Sequence, residues 1–293
     1  MSGRMERAFA LAGAFGMICP LCGGSYVRKE QALVCPDGHT INGNRKGYFN
    51  FLSRPAPDTY DKSLFEARRR IFVSGLYDEV ISAVAGEIKP DDAVLDAGCG
   101  EGGYLCAIKD RGYRGNCAGV DMSRPGIEMA SSGEALWCVA DMRHLPFAAS
   151  SFDCILNILS PADYAEFRRV LRPAGKLIKV IPGPEYLREV RAARHLKGGD
   201  SRADVRMQEK MRLLRTKRVH YVRAIEPGLW ADILRMTPLN QDLSAIEIRE
   251  MEQMPVGTLT IDLTVMTAVF DQPDTKRGDP DSAAGQLGEF HPS

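Results

Sequence analysis

The chain has 293 residues, 38 Lys and Arg against 38 Asp and Glu, and an apolar fraction of 44%. That is enough apolar material for a real core and more chain than one small domain needs, so two unequal domains are expected. No run approaches the roughly 18 consecutive apolar residues of a membrane-spanning helix, and the zero formal charge excludes an overall polycation. The charge is nevertheless unevenly placed. Residues 1–70 carry 11 basic against 6 acidic side chains, residues 188–223 carry 12 against 4, and residues 89–166 carry 6 against 12. Two basic stretches flanking an acidic centre suit a polyanion delivered to a separate site, although a basic run is more often the solvated face of a helix.

Residues 1–16 contain Ala, Gly and Phe but no secretory h-region with a cleavage site, and are expected to form a flexible extension. The next segment, 17–54, is dominated by Cys19-x2-Cys22, twelve residues, then Cys35-x3-His39. This is a four-ligand zinc pattern, two short turns each aiming two side chains at one tetrahedral ion. With four protein ligands no coordination position stays open, so one structural Zn2+ is expected. Residues 25–28 and 32–34 read as a small hairpin between the ligand pairs. Tyr48-Phe49-Asn50-Phe51-Leu52 is an apolar strip suited to packing this module on its neighbour. Cys99, Cys106, Cys117, Cys138 and Cys154 lie within strand and helix patterns and read as small buried residues, and disulfides are not expected in the reducing cytoplasm, where the chain is placed by default.

Pro55 and Pro57 open a linker, and residues 62–88 read as helix broken near Gly75; together 55–88 form a linker and helical lead-in. The third segment, 89–272, opens with Val94-Leu95-Asp96-Ala97-Gly98-Cys99-Gly100-Glu101-Gly102-Gly103. An apolar run ending in an acid, a glycine-dense turn and a helical pattern read as strand, loop and helix of a βαβ unit. The glycines let backbone approach a ligand that a Cβ would push away. Two further strands end in Asp121 and Asp141, so three carboxylates should line one edge of a parallel sheet, the second at the place where an acid binds ribose hydroxyls. Together with the Leu171-Arg172-Pro173-Ala174-Gly175 turn, the series resembles the class I S-adenosylmethionine-dependent methyltransferases. The resemblance implies an α/β, Rossmann-like fold in which Asp96, Gly98, Gly100 and Gly102 meet the methionine part, Asp121 the ribose, and Asp141 with Met142 the adenine, with Cys99, Glu101 and Met122 also against the cofactor. Tyr77 would cover the cofactor, a core position being its ordinary alternative. A nicotinamide dehydrogenase on the same fold fits less well, because the spacing is Gly98-x-Gly100-x-Gly102 and not Gly-x-Gly-x-x-Gly.

The zinc pattern, residues 47–52, Phe65-Glu66-Ala67-Arg68-Arg69, Leu145-Pro146-Phe147, Asn157-Ile158-Leu159-Ser160-Pro161, Pro182-Gly183-Pro184 and Met236-Thr237-Pro238-Leu239 stand in one order. In that order the chain resembles the bacterial large-subunit (23S) rRNA (guanine-N1)-methyltransferases, some of them linked to macrolide-type resistance or susceptibility. The resemblance implies S-adenosylmethionine as donor and, as target, N1 of a guanine in a hairpin loop of the RNA. It also allows a homodimer that cradles RNA, which the residues leave open. Tyr186 stands where the family commonly has histidine, at a position that would touch the cofactor. Asn157, at the end of the fourth strand, offers donor and acceptor to a purine edge and is expected to position the base and to touch the cofactor; it has no useful basicity, and capping the next helix is its ordinary alternative. Asp163 reads as an acid stabilising the start of that helix, with proton acceptance its alternative by location. No general base identifies itself. Residues 186–196 and 205–214 read as basic helices suited to RNA phosphates, 226–236 as an amphipathic helix with Trp230 inside, 257–269 as a closing strand, and 273–293 as a disordered tail. A small-molecule or protein methyltransferase with a structural zinc knuckle, and a non-catalytic RNA-binding protein, are the alternatives.

Overall fold

The computed structural model describes residues 3–54, 61–131, 133–196, 203–240 and 242–271. The first element corrects an expectation. Residues 3–15 are not a flexible extension but a helix, α1 (Gly3–Phe15), with Met5, Ala8, Phe9, Ala12 and Phe15 buried. Their three- and four-residue spacing puts them on one face. Phe9 meets Phe49 edge-on at 5.2 Å, and Phe15 stacks on Phe152 at 4.8 Å. Strands β1 (Val27–Lys29), β2 (Ala32–Val34) and β3 (Thr40–Asn42) form a small antiparallel sheet, with Val27 opposite Val34 as the predicted hairpin requires. The apolar strip at 48–52 does more than pack. Its strand β4 (Tyr48–Asn50) pairs in parallel with the main sheet, Phe49 opposite Cys138. The expected boundary at 54 therefore does not separate two bodies.

Linker residues 55–60 and the tail from 272 onward lie outside the described residues. Helix α2 (Lys62–Val73) starts at Asp61, whose side chain accepts from the Leu64 N–H, a typical N-cap. It ends at Gly75, whose φ of +73° a side chain resists, and α3 (Asp78–Ala85) follows. The alternation then settles into β5 (Val94–Ala97), α4 (Gly103–Asp110), β6 (Cys117–Asp121), α5 (Arg124–Ala130), β7 (Leu136–Val139), β8 (Phe152–Ile158), α6 (Tyr164–Val170) and β9 (Leu171–Pro182). The strands are nearly continuous apolar runs because both sheet faces are covered.

After β9 come α7 (Arg188–Ala193), α8 (Ala203–Gln208), β10 (Arg212–Ala224), α9 (Pro227–Met236), α10 (Ala245–Glu252) and β11 (Thr258–Val269). Trp230 in α9 is 1% exposed, and its indole N–H donates to the Met251 carbonyl. The helix expected at 205–214 stops at Gln208; from Arg212 the chain is a thirteen-residue strand. The eight-stranded sheet runs β10-β11-β9-β8-β5-β6-β7-β4, with β11 antiparallel to both neighbours. Strand order reverses between β5 and β8, and in open α/β sheets a crevice opens at such a switch point beyond the strand ends.

Candidate active site and metal centre

That crevice is a cavity of about 610 Å³. Its floor is the turn after β5. Gly98 has a φ of +87°, and a Cβ there would sit 2.0 Å from Ser160 Oγ. Gly102, at φ +76°, has the Trp137 ring 2.5 Å from where its Cβ would be. The turn is drawn back against β6: the Gly100 N–H donates to Asp121 Oδ2 at 2.8 Å, and the Ser123 N–H to Oδ1 at 2.7 Å. Asp121 thus braces the glycine loop.

Carboxylates gather behind this floor. Asp96 is 1% exposed, and burial, reinforced by the neighbouring Asp121 charge, pushes it up to about 8. Burial also raises Asp121 and Glu101, the latter against the pull of Arg68, whose Nε lies 3.1 Å from Glu101 Oε2. Asp96 Oδ2 and Glu101 Oε1 are buried without a hydrogen-bond partner, while Glu101 Oε2 faces the Arg68 guanidinium. Such acceptors are costly unless something donates to them. A glycine cradle beside orphaned acceptors fits a ligand carrying an ammonium group and hydroxyls.

The structure brings Tyr77, Gly98, Gly100, Asp121, Met122, Met142 and Tyr186 onto the cavity wall. The Tyr77 and Tyr186 hydroxyls meet at 2.8 Å, and burial raises both phenols. Cys99 and Gly102 lie behind the wall as packing, and Asp96 and Glu101 lie beneath the floor. Asp141 turns aside to an ion pair with Arg143 at 2.7 Å, which holds its carboxyl low. Asn157 departs from its expected role. It is fully buried, its Nδ2 donates to the carbonyls of Ala97 and Pro161, and its Oδ1 accepts from Lys179 Nζ. With both amide hydrogens used, it holds the loop after β8 and cannot donate to a purine edge. Nor does it cap α6; Asp163 does, accepting from the Ala165 and Glu166 N–H groups.

Among the wall residues not assigned a site role from the sequence, three stand out by charge or strained backbone. Arg68 reaches in from α2, Leu159 sits at φ +51° and 41% exposed, and Lys179 lies within β9. Only the lysine left a usable signal, a lone charge inside the apolar run Leu177-Ile178-Lys179-Val180-Ile181, where charged residues rarely go.

At the other end, the donor atoms of Cys19, Cys22, Cys35 and His39 all lie within 4.8 Å of one another. Cys22 and Cys35 sulfurs are 3.6 Å apart, and His39 Nδ1 lies 3.5 Å from Cys19 and 3.4 Å from Cys35. Zinc bonds of roughly 2.3 Å to sulfur and 2.0 Å to nitrogen, set in a tetrahedron, demand donor separations of about 3.5–3.8 Å. The cluster has the dimensions and the soft donors of a closed, structural zinc site. The basic surface expected at 188–223 is less free than its composition suggests. Along β10, Arg212, Arg215, Arg218 and Arg223 pair with Asp271, Glu87, Asp262 and Glu79. No helix among the described residues is long and apolar enough to cross a membrane.

A family model described as a methyltransferase domain matches residues 94–175. The YxjB protein of Bacillus subtilis, provisionally named a 23S rRNA (guanine-N(1)-)-methyltransferase, is 33% identical over 85% of this chain and 95% of its own length. The 23S rRNA (guanine(748)-N(1))-methyltransferase of Streptomyces fradiae is 32% identical over 59% of this chain and 65% of its own. Among solved structures, the YcgJ protein of Bacillus subtilis superposes with a TM-score of 0.48 at 17% identity, covering 67% of this chain and 100% of that one.

Proposed function

The chain belongs to the family of 23S rRNA (guanine-N1)-methyltransferases, and on that premise we propose that it methylates N1 of a guanine in a hairpin loop of large-subunit ribosomal RNA. The observation that carries this reading is the likeness to the Bacillus protein, which extends over 85% of the chain and so well beyond the methyltransferase core at 94–175. Bound S-adenosylmethionine supplies an electrophilic methyl group. Asp96 and Glu101, set behind the glycine turn, would draw its ammonium end toward the floor by their charge, with Asp96 Oδ2 the acceptor that lacks a partner and Glu101 already facing Arg68. Asp121 keeps lone pairs for ribose hydroxyls, and Met122 and Met142 flank the nucleoside. Asp141, tied to Arg143, contributes through the turn it stabilises.

The base must leave its stack to reach the cavity, and the apolar rim at Leu159, Pro161 and Met236 receives it. Asn157 positions that rim indirectly, through its bonds to Pro161 and Lys179. The Tyr77–Tyr186 pair closes the wall behind the cofactor and excludes water. Cys19, Cys22, Cys35 and His39 hold one zinc ion that shapes the N-terminal surface for RNA, and this metal takes no part in the chemistry because its ligand set is complete.

The test is incubation of the protein with labelled S-adenosylmethionine and unmodified large-subunit RNA, followed by reverse transcription. A methyl group on N1 blocks Watson–Crick pairing, so one new stop at a guanine is expected. Label incorporated without a stop moves the target off the pairing edge. Cofactor binding without any label in the RNA refutes the RNA reading.

A further inference from the structure

Guanine N1 carries a proton at neutral pH and becomes a nucleophile only when that proton leaves, so something beside the base must accept it. The obvious candidates near the β8 loop are occupied. Asn157 has no basicity, Asp163 caps α6, and the Tyr77 and Tyr186 phenols hold their protons more tightly than usual. Resting on the methyl-transfer reading above, we propose that Lys179 is a catalytic residue: its amine, set in the cavity wall between Asn157 and Ser160, takes the N1 proton of the target guanine.

The geometry is built by the strands. Asn157 and Lys179 are direct partners in the parallel β8–β9 pairing, so their side chains leave the sheet together. Lys179 is 3% exposed and lines the cavity. Its Nζ donates to Asn157 Oδ1 and, at 3.1 Å, to the Ser160 carbonyl. An ammonium has three N–H groups to place, whereas a neutral amine has two and a lone pair. Two protein acceptors leave the third position on the nitrogen to the cavity, an N–H in the ammonium and the lone pair in the neutral amine. Burial alone lowers the Lys179 amine from 10.5 to about 8. The charged and titratable groups on surrounding elements are Asp96 on β5, Asp121 on β6, Asp262 on β11, Arg68 on α2, Arg191 on α7 and the Tyr77–Tyr186 pair. None of them figures in that lowering; Asp262, the acid on the neighbouring strand, is engaged by Arg218.

The step balances. The N1–H bond breaks and its proton goes to Lys179 Nζ; the N1 electron pair forms the new N–CH3 bond. The methyl–sulfur bond breaks with its pair returning to sulfur, and the cofactor leaves as S-adenosylhomocysteine. The Lys179 ammonium then returns its proton to solvent as the product leaves.

The experiment compares wild type, K179M and K179R in single-turnover methylation of the RNA hairpin from roughly pH 6 to pH 10. S-adenosylhomocysteine affinity is measured by calorimetry, and trace acetic-anhydride labelling titrates the Lys179 amine in the cofactor-free protein. The wild-type rate should level off above pH 8 or so, and labelling should find the amine titrating there. K179M should lose at least about 100-fold in rate and keep affinity within about twofold. Its residual rate should climb about tenfold per pH unit as the guanine ionises unaided, and K179R, which keeps the donors without the base, should behave alike. Variants within about threefold of wild type with an unchanged pH profile, or an amine titrating at its ordinary 10.5, overturn the proposal. The labelling uses wild-type protein and decides even if a variant fails to fold. An inactive wild type would instead remove the methyl-transfer reading, and this proposal with it.

Discussion

Asp96 lets the cost of burying one carboxyl be measured directly. Its carboxyl is raised from 3.8 to about 8 by burial, while in the unfolded chain it titrates near the ordinary value. Below pH 4 or so both states hold the proton and nothing is lost. As pH rises from there, the unfolded chain sheds the proton and the folded one does not, so stability falls by about 1.4 kcal/mol per pH unit until the folded group ionises near pH 8. The accumulated cost of this one side chain is about 5 kcal/mol, an order-of-magnitude figure comparable to the whole stability of many domains. Asp96→Asn keeps the shape and cannot ionise. In urea unfolding without ligand, the variant should gain on wild type by about 4 kcal/mol between pH 5 and pH 8. The same substitution should weaken S-adenosylhomocysteine binding, because the acceptor for its ammonium loses its charge. A stability difference that stays constant with pH would refute the reasoning, since it would mean that Asp96 ionises in the folded protein as it does in water.

Phe15→Ala should cost about 3–5 kcal/mol and lower the melting temperature by about 10 °C, because Phe15 stacks on Phe152 within the core; a shift under about one degree would return α1 to the status of a loose extension. Cys22→Ser should abolish the single zinc that elemental analysis is expected to find per chain, and unchanged metal content would dismiss the four-ligand site. Gly98→Ala, facing both a φ of +87° and a clash with Ser160, should weaken cofactor binding at least about tenfold. Its melting temperature should move only a few degrees, and calorimetry showing intact affinity would refute the close approach.

The parallel core was legible because strands buried on both faces must be apolar runs, and because the turn after β5 needs backbone that only glycine tolerates. Asp96, Asp121 and Asp141 duly mark the ends of, or the turns just after, three adjacent strands. Elsewhere the signals competed. The core face of α1 is partly alanine, so its period was faint beside its glycines. Strand β10 sits at a sheet edge, where charged side chains are what deter another strand from adding on, and those same charges read as a solvated helix. Asn157 stood out as a polar residue at a strand end, but its partners are tertiary. Nothing in the linear order announces that the amide serves Ala97, Pro161 and Lys179, or that Arg68 reaches Glu101 from another element.

Strand β4 has a mechanical consequence. Its pairing with β7 rivets the segment after the metal ligands to the same sheet that ends, one turn later, at Met142 on the cavity wall. Two modules sharing hydrogen-bonded rungs cannot swing like a hinged jaw. Any opening of the cysteine cluster away from the cavity would have to break the β4–β7 rungs or bend the chain ahead of them.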